Sequence, residues 1–494
     1  MKSNKNYYLY VLLIFFFVAR LVNLCLLPIF NDEAIYINWG QIMSTKSALL
    51  FYSLFDGKQP LLMWLFGIAN KFVADPLLAA RLVSVIFSFF TAIAIFKLAG
   101  KFVAYPFSLL PLVIYTITPI FTFFDRQALM ESALTAVGVW SLYFLGNYLE
   151  KKTLKPVLSL GITLGIGLFI KSTAIIFLLL SLFVLFWKGI TNKSKKQVFH
   201  PYLAILVIIG LVTLILFPLI TQPQFKVIFT RGDRYNLTLK EILDFPVTIW
   251  WQNLLATLKI SFWHLTPVIF LFSLTGFWIS FKRKFYLYLF WFFGGIIIAI
   301  LTARGLSPRY LVCLLPLSTI FAGFTVFSFF NKKRLLGFVS LLLLLPAFLI
   351  SFLLVVNPLA YFNLMDNLTK QYSQKIGYVT GDESGFSLDH VRNFLEEKAR
   401  NGPLIVGVRL DAGNPENAIM AYYFSSQQIK VIFLDKQLFP TDFDFNNLKS
   451  PIPVYFVSRS QHQGGLEKYL KEEARFFKPE GKSYFGVYKL LVKQ

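Results

Sequence analysis

Between residues 9 and 356 the sequence returns again and again to apolar runs long enough for a helix to cross a lipid hydrocarbon layer, which takes ~20 residues. Eleven such runs are legible, at roughly 9–29, 79–97, 105–123, 131–149, 156–171, 173–187, 202–220, 264–281, 285–302, 310–330 and 335–356. The fifth and sixth are short enough for one of them to be a re-entrant element. After residue 357 the pattern changes to mixed polar and apolar residues. Apolar runs at 403–408, 429–434, 452–458 and 484–491 read as strands, and 387–400 and 465–476 read as helices. The expected fold class is an all-α polytopic membrane bundle of about 11 transmembrane helices over residues 1–356, followed by a small C-terminal α/β soluble domain over 357–494.

Composition supports that division. Hydrophobic residues make up 56% of the 494, with 56 Phe, outside the usual range of soluble globular chains. Only 15% are charged, yet the formal net charge is +23. A basic excess of this kind calls for anionic partners such as lipid headgroups or lipid phosphates. Nucleic acid is excluded as the partner, because the cations are scattered between apolar runs rather than gathered into one stripe. Cys25 and Cys313 both sit in apolar runs, which supports neither a disulfide framework nor a cysteine metal site. The first apolar run follows a basic start and has no small-residue cleavage pattern before Asn31, so it reads as a retained span.

Loop charges orient the spans. Lys2 and Lys5, Lys97 and Lys101, Lys151, Lys152 and Lys155, Lys188 with Lys193, Lys195 and Lys196, Lys282 to Lys284, and Lys332 to Arg334 all fall on alternate loops. The positive-inside rule makes that side cytoplasmic, with a cytoplasmic N-terminus and an extracytoplasmic C-terminal domain in a multi-pass cell-membrane protein. Of the ten acids in residues 1–356, only Glu150 then lies inside. Two outer loops are long. Residues 30–78 include Pro60 to Val73, read as a helix lying in the interface, and residues 221–263 carry Arg231, Gly232, Asp233 and Arg234 before an aromatic segment.

Chemistry-bearing residues concentrate on this outer side. Asp32 and Glu33 follow the first span and suit either a catalytic base or the macrodipole of a helix N-terminus. Lys58, before Pro60, can reach a phosphate at headgroup depth or snorkel to the interface. Arg81 reads as an anchor of the second span. Asp125, Arg126 and Glu131 lie at the boundary between the third and fourth spans, where ionisable groups are functional candidates and an Asp125–Arg126 pair is the structural alternative. Lys171 interrupts apolar sequence in the same way. Arg304 and Arg309 flank a Pro turn and suit phosphate binding, with headgroup anchoring as the alternative. With four His in the chain a His-rich metal site is not expected, while Asp and Glu oxygens leave a divalent ion open.

Taken in order, these segments resemble the GT-C class of membrane glycosyltransferases, particularly the protein O-mannosyltransferase and aminoarabinose transferase branch. The residues that carry the resemblance are Asp32-Glu33 with Tyr36, Lys58-Gln59-Pro60-Leu61 with Trp64 (Gln59 replacing one proline), Arg126 to Glu131, Lys171, and Ser307-Pro308-Arg309-Tyr310-Leu311. The resemblance implies an inverting transfer from a polyprenyl-phosphate-linked sugar donor to a lipid, glycan or protein acceptor at the outer face. Asp32 would be the general base, Glu33 and Glu131 would support it, and Lys58, Lys171, Arg231, Arg234 and Arg309 would hold the donor phosphate. No cofactor is implied beyond that open divalent ion. A lipid-linked-saccharide transporter or flippase is the competing reading; charges gathered at one face, no matching halves and a soluble domain after the last span speak against it.

Overall fold

The computed structural model describes residues 7–191, 200–409, 413–434, 452–460 and 470–491, so Lys2, Lys5, Lys193, Lys195 and Lys196 lie outside the described residues. The helices of the first 356 residues are α1 (Tyr7–Leu21), α2 (Asn31–Met43), α3 (Leu61–Ala69), α4 (Pro76–Ala99), α5 (Leu110–Ile117), α6 (Pro119–Phe124), α7 (Met130–Lys151), α8 (Leu154–Ile170), α9 (Ile175–Thr191), α10 (Pro201–Ile220), α11 (Val227–Gly232), α12 (Leu239–Leu243), α13 (Val247–His264), α14 (Pro267–Lys282), α15 (Tyr286–Thr302), α16 (Pro308–Leu311), α17 (Pro316–Lys332), α18 (Arg334–Leu342) and α19 (Leu345–Val356). Beyond them come α20 (Pro358–Thr369), α21 (Leu388–Ala399), β1 (Leu404–Arg409), α22 (Glu416–Tyr422), β2 (Ile429–Leu434), β3 (Val454–Arg459), β4 (Leu470–Phe477) and β5 (Tyr484–Leu490). Two compact units result. One comprises Met1–Asn23, Leu50–Leu62 and Arg81–Val356; the other comprises Leu24–Leu49, Met63–Ala80 and Asn357–Gln494.

The first unit is helical, and each of the eleven apolar runs contains helix, the first only as far as Leu21. Among the described residues, four stretches are long and apolar enough to cross a membrane unaided: Pro76–Ala99, Ser172–Thr191, Pro201–Ile220 and Arg334–Val356. A fifth arises if α13 and α14, bent by 114° at their junction, count as one span. Of the other runs, the fourth makes the 22-residue α7, while prolines restart the chain at Pro119, Pro267 and Pro316, where a proline at the first helical position gives up only an N–H with no partner in its helix. Leu206, Leu214 and Phe217 of α10 are each more than 60% exposed, an apolar surface that lipid would cover. Inside the unit, α14 packs on α17 and α8 lies against both α7 and α10. The α14–α17 crossing needs Gly276, since a Cβ there would stand 1.9 Å from the carbonyl oxygen of Phe321. The aromatic part of the second outer loop is itself helical, forming α13, whose Asn253 Nδ2 donates to the carbonyls of Ile300 and Ala303 at the end of α15.

The second unit carries a five-stranded sheet in the order β2-β1-β3-β5-β4. β1 runs parallel to β2 and β3, while β5 runs antiparallel to β3 and β4. The four expected strands are present. Helix was expected over 465–476, but its described part is the edge strand β4. Leu470-Lys471-Glu472-Glu473-Ala474-Arg475 favours helix locally, yet β5 has an open edge, and pairing to it wins. Its outward charges suit an edge strand, where they discourage further pairing. Of the first outer loop, the stretches up to Leu49 and from Met63 onward belong to this unit, while Leu50–Leu62 belongs to the helical one. α2 packs on α22, and Phe30 stacks on Tyr378 at 4.1 Å between ring centroids.

Candidate active site

In the helical unit the centre of the arrangement is Glu131, in the first turn of α7 and wholly buried. Its Oε1 accepts from Lys171 Nζ at 2.7 Å and from Arg309 Nε at 2.8 Å. The chain delivers both cations by breaking helices. Lys171 is an extended residue (φ −157°, ψ 135°) between α8 and the turn that leads into α9, and Arg309 follows Pro308 at the start of α16. Both side chains are less than 20% exposed, so solvent screens these pairs little. Glu131 Oε2 is buried with no hydrogen-bond partner among the described residues. One oxygen therefore holds two cations.

Two tyrosines extend the cluster. Lys171 Nζ lies 5.6 Å from the ring centroid of Tyr310, and Lys58 Nζ lies 5.7 Å from that of Tyr235, distances at which a ring face attracts a cation. Tyr310 is within electrostatic reach of Arg309, Tyr235, Glu131 and Lys58. Two of the expected phosphate residues, Lys171 and Arg309, thus meet at Glu131, and a third, Lys58, stands near Tyr235 and Tyr310. Arg231 stands beside them in sequence contact, its Nη2 pairing with Asp56 at 2.8 Å in the turn that precedes Lys58. Arg234 is exposed, and no side-chain bond joins it to the cluster. The loop that bears them is tied down at its far side: Arg304 makes a two-pronged contact with Glu241 at 2.8 Å each, and Asn236 bridges to Ala303. Those ties hold the Glu241 carboxyl down at about 2, chiefly through the Arg304 hydrogen bond.

The boundary acids and bases sort differently from their spacing. Asp125 pairs with Arg20, Nε to Oδ2 at 3.0 Å, and accepts from the Tyr115 hydroxyl at 2.9 Å. Arg126 donates to the carbonyls of Arg20 and Asn23 at 2.9 and 2.8 Å, closing the C-terminal end of α1 where cations suit the helix dipole. The Asp125–Arg126 alternative is therefore replaced by two long-range contacts. Arg81, wholly buried, donates to Gln127 Oε1 at 3.3 Å.

In the sheet-bearing unit Asp32 and Glu33 open α2. Glu33 is wholly buried, and its Oε2 accepts from the Phe30 N–H at 2.9 Å, so the carboxylate closes its own helix N-terminus. Asp32 is half-buried. The chain just before it is held by residues that give no signal in the sequence. Asn414 N donates to Asn31 Oδ1 at 2.9 Å, and Asn414 Nδ2 donates to the carbonyls of Ile29 and Glu383 at 3.0 Å each. Gly413 has φ +114°, and a Cβ on it would fall 1.7 Å from Asn31 Oδ1. Farther along α2, Asn38 Oδ1 accepts from Asn417, and Gln41 Nε2 donates to Asn70 Oδ1 and the carbonyl of Ala421. Among the described residues no group of three or more His, Cys, Asp or Glu stands together as a metal site.

Comparison with known proteins runs through the same residues. Residues 57–217, which include Lys58, Glu131 and Lys171, match the family described as dolichyl-phosphate-mannose-protein mannosyltransferase. No curated protein matches the sequence. Among solved structures the chain is similar to ArnT from Cupriavidus metallidurans bound to undecaprenyl phosphate, with a TM-score of 0.61 at 13% identity over 98% of both chains. The same protein in the apo state gives a TM-score of 0.58. The Archaeoglobus fulgidus oligosaccharyltransferase in its apo form gives 0.51 at 12% identity, over 98% of this chain and 75% of that one. The chain has an ArnT-like GT-C fold, and in sequence motifs and architecture it resembles the GT-C class of membrane glycosyltransferases.

Proposed function

We propose that this chain is an inverting membrane glycosyltransferase that moves a sugar from a polyprenyl-phosphate donor to an acceptor at the extracytoplasmic face. The coarse part of that reading, a membrane glycosyltransferase using a lipid-linked donor, is supported by the matched mannosyltransferase family and by a fold shared with a protein solved with undecaprenyl phosphate. The observation that carries the finer part is the cation cluster at Glu131: Lys171 and Arg309 on one carboxylate oxygen, with Lys58 near the neighbouring Tyr235 and Tyr310. Such a surplus suits a phosphate whose charge grows as the glycosidic bond breaks. Arg309 and Lys171 hold the phosphate oxygens, Lys58 approaches from the Asp56–Pro60 turn, and Arg231 keeps that turn in place. Glu131 acts through the cations it holds and is a positioning residue.

The base is Asp32. Of the adjacent pair, Glu33 is buried and accepts from the Phe30 N–H, whereas Asp32 keeps partial exposure at the helix start. It takes the acceptor proton as the acceptor oxygen attacks the anomeric carbon, and the lipid phosphate leaves on the opposite side. A lipid, glycan or protein nucleophile presents the same chemistry at Asp32.

The test uses purified protein in nanodiscs. Undecaprenyl phosphate binding is measured by native mass spectrometry, and transfer by mass spectrometry of products from polyprenyl-phosphate sugars that accumulate when the protein is removed from cells. Asp32→Asn should abolish transfer with lipid binding intact, and Arg309→Ala should weaken binding about ten-fold or more, as expected for a charge-assisted contact. Wild-type transfer by Asp32→Asn would remove the base; translocation of the lipid-linked sugar without any transfer would replace the enzyme by a transporter.

A further inference from the structure

We infer that the lysine-rich end of the helical unit holds a second lipid site, for an anionic phospholipid, distinct from the cluster around Glu131. A cavity of about 930 Å³ opens there. Its polar wall carries Lys152 at the C-terminus of α7, Lys188 in the last turn of α9 and Lys284 just beyond α14, with Trp187 and Tyr286 beside them. A second groove of about 670 Å³ is lined wholly by apolar residues of α9, α10 and α15 together with Gly294. The two share Phe183 and Phe290, whose rings stack at 5.1 Å, so cavity and groove form one slot with a cationic mouth and an apolar floor.

Charge decides the occupant. No ion pair engages Lys152, Lys188 or Lys284 among the described residues. The carboxylate that belongs to this end of α7, Glu150, is taken by Lys101 at 2.8 Å, and the sequence from 192 to 199 contains no Asp or Glu. Two of the three lysines also have left-handed backbone, φ 52° at Lys152 and φ 61° at Lys284, a conformation glycine adopts most freely at a helix end. A zwitterionic headgroup would add a fourth cation to this mouth. A phosphodiester with an uncompensated charge satisfies it, while one acyl chain follows the Phe183–Phe290 wall into the groove. Glu131 and Lys152 stand at opposite ends of the 22-residue α7, about 30 Å apart at 1.5 Å per residue, so this lipid does not occupy the donor site. If the loop-charge orientation is right, it is drawn from the inner leaflet.

Native mass spectrometry of the full chain, delipidated in detergent and titrated with phosphatidylglycerol, phosphatidylcholine or inorganic phosphate, tests this. Phosphatidylglycerol should bind tightest, and inorganic phosphate should show no saturable binding. Each lysine near the phosphate should be worth about five-fold, so the Lys152→Ala, Lys188→Ala, Lys284→Ala triple variant should lose roughly a hundred-fold for phosphatidylglycerol and little for phosphatidylcholine. Ile297→Trp, which fills the groove, should weaken both lipids. Arg309→Ala should leave phosphatidylglycerol binding unchanged. Equal affinity for the two lipids, retention by the triple variant, or loss on Arg309→Ala would overturn the site.

Discussion

Replacing Glu131 by Gln removes one charge and almost no volume, so it isolates what the carboxylate does. Lys171 and Arg309 both bond to the same oxygen, at 2.7 and 2.8 Å, and must therefore lie close to each other. Two like charges ~5 Å apart repel by about 3 kcal/mol at an effective dielectric of about 20. In the wild type the carboxylate offsets that repulsion; in the variant a neutral amide oxygen does not. The bonds also weaken, because each ionised donor then meets a neutral acceptor. The repulsion alone puts the loss at about 3 kcal/mol, within the range for breaking a buried ion pair. A lipid phosphate entering the cluster supplies the missing negative charge. The variant should therefore unfold at a lower temperature than wild type, and undecaprenyl phosphate should raise that temperature by more in the variant. Intrinsic tryptophan fluorescence during heating in detergent, with and without the lipid, reads both effects. An unchanged melting temperature, or a lipid-induced shift no larger than in wild type, would show that the carboxylate does not balance these cations and that the phosphate does not bind at them.

Other perturbations follow from the same geometry. Gly413→Ala drives a Cβ into Asn31 and displaces the residues before Asp32, so turnover should fall roughly a hundred-fold with undecaprenyl phosphate binding retained; Gly402→Ala, strained in backbone (φ +134°) but with nothing within 4 Å, is the control and should retain activity. Lys478 is 2% exposed, and burial pushes its amine down to about 7 against the pull of Asp382. The unfolded chain then binds a proton that the folded chain releases between pH 7 and pH ~10, so stability should rise with pH across that window by up to about 1.4 kcal/mol per unit, and Lys478→Met should flatten the slope in melts at pH 7 and 9. Arg304→Ala breaks a two-pronged but 38% exposed pair with Glu241, which solvent screens, and the melting temperature should fall only slightly in the same melts.

The helical character of residues 1–356 was legible because hydrocarbon demands long apolar runs, and strands β1, β2, β3 and β5 were legible because buried strands are short and apolar. β4 was not. Its residues favour helix in isolation, and the partner that overrides them, β5, comes later in the chain. Among the site residues, Lys58, Lys171, Glu131 and Arg309 stood out as charges in apolar surroundings, the costliest kind and the easiest to notice. Asn414, Gly413 and Asn417 gave no such signal, because an amide and a glycine in a polar domain are ordinary. Their part at Asn31 depends on a contact nearly four hundred residues away in sequence. Arg20 and Asp125 show the reverse case: a conspicuous charge pair whose geometry joins α1 to the α6–α7 junction and is fully consumed in doing so.

That contrast gives a criterion for separating structural from functional charge in a chain of this kind. Arg20, Asp125 and Arg126 engage protein groups through several donors or acceptors, which is what deep burial requires of an ion. Glu131 breaks the pattern. It is as buried as Asp125, yet two cations crowd on one oxygen while the other has no partner among the described residues. A purely structural pair would gain by sharing the load between both oxygens. Holding two cations from one atom instead brings them together, the arrangement a phosphate with several oxygens suits. By the same criterion Arg304, which spends two donors on Glu241 and a third on the Asp233 carbonyl, is a strut of the outer loop.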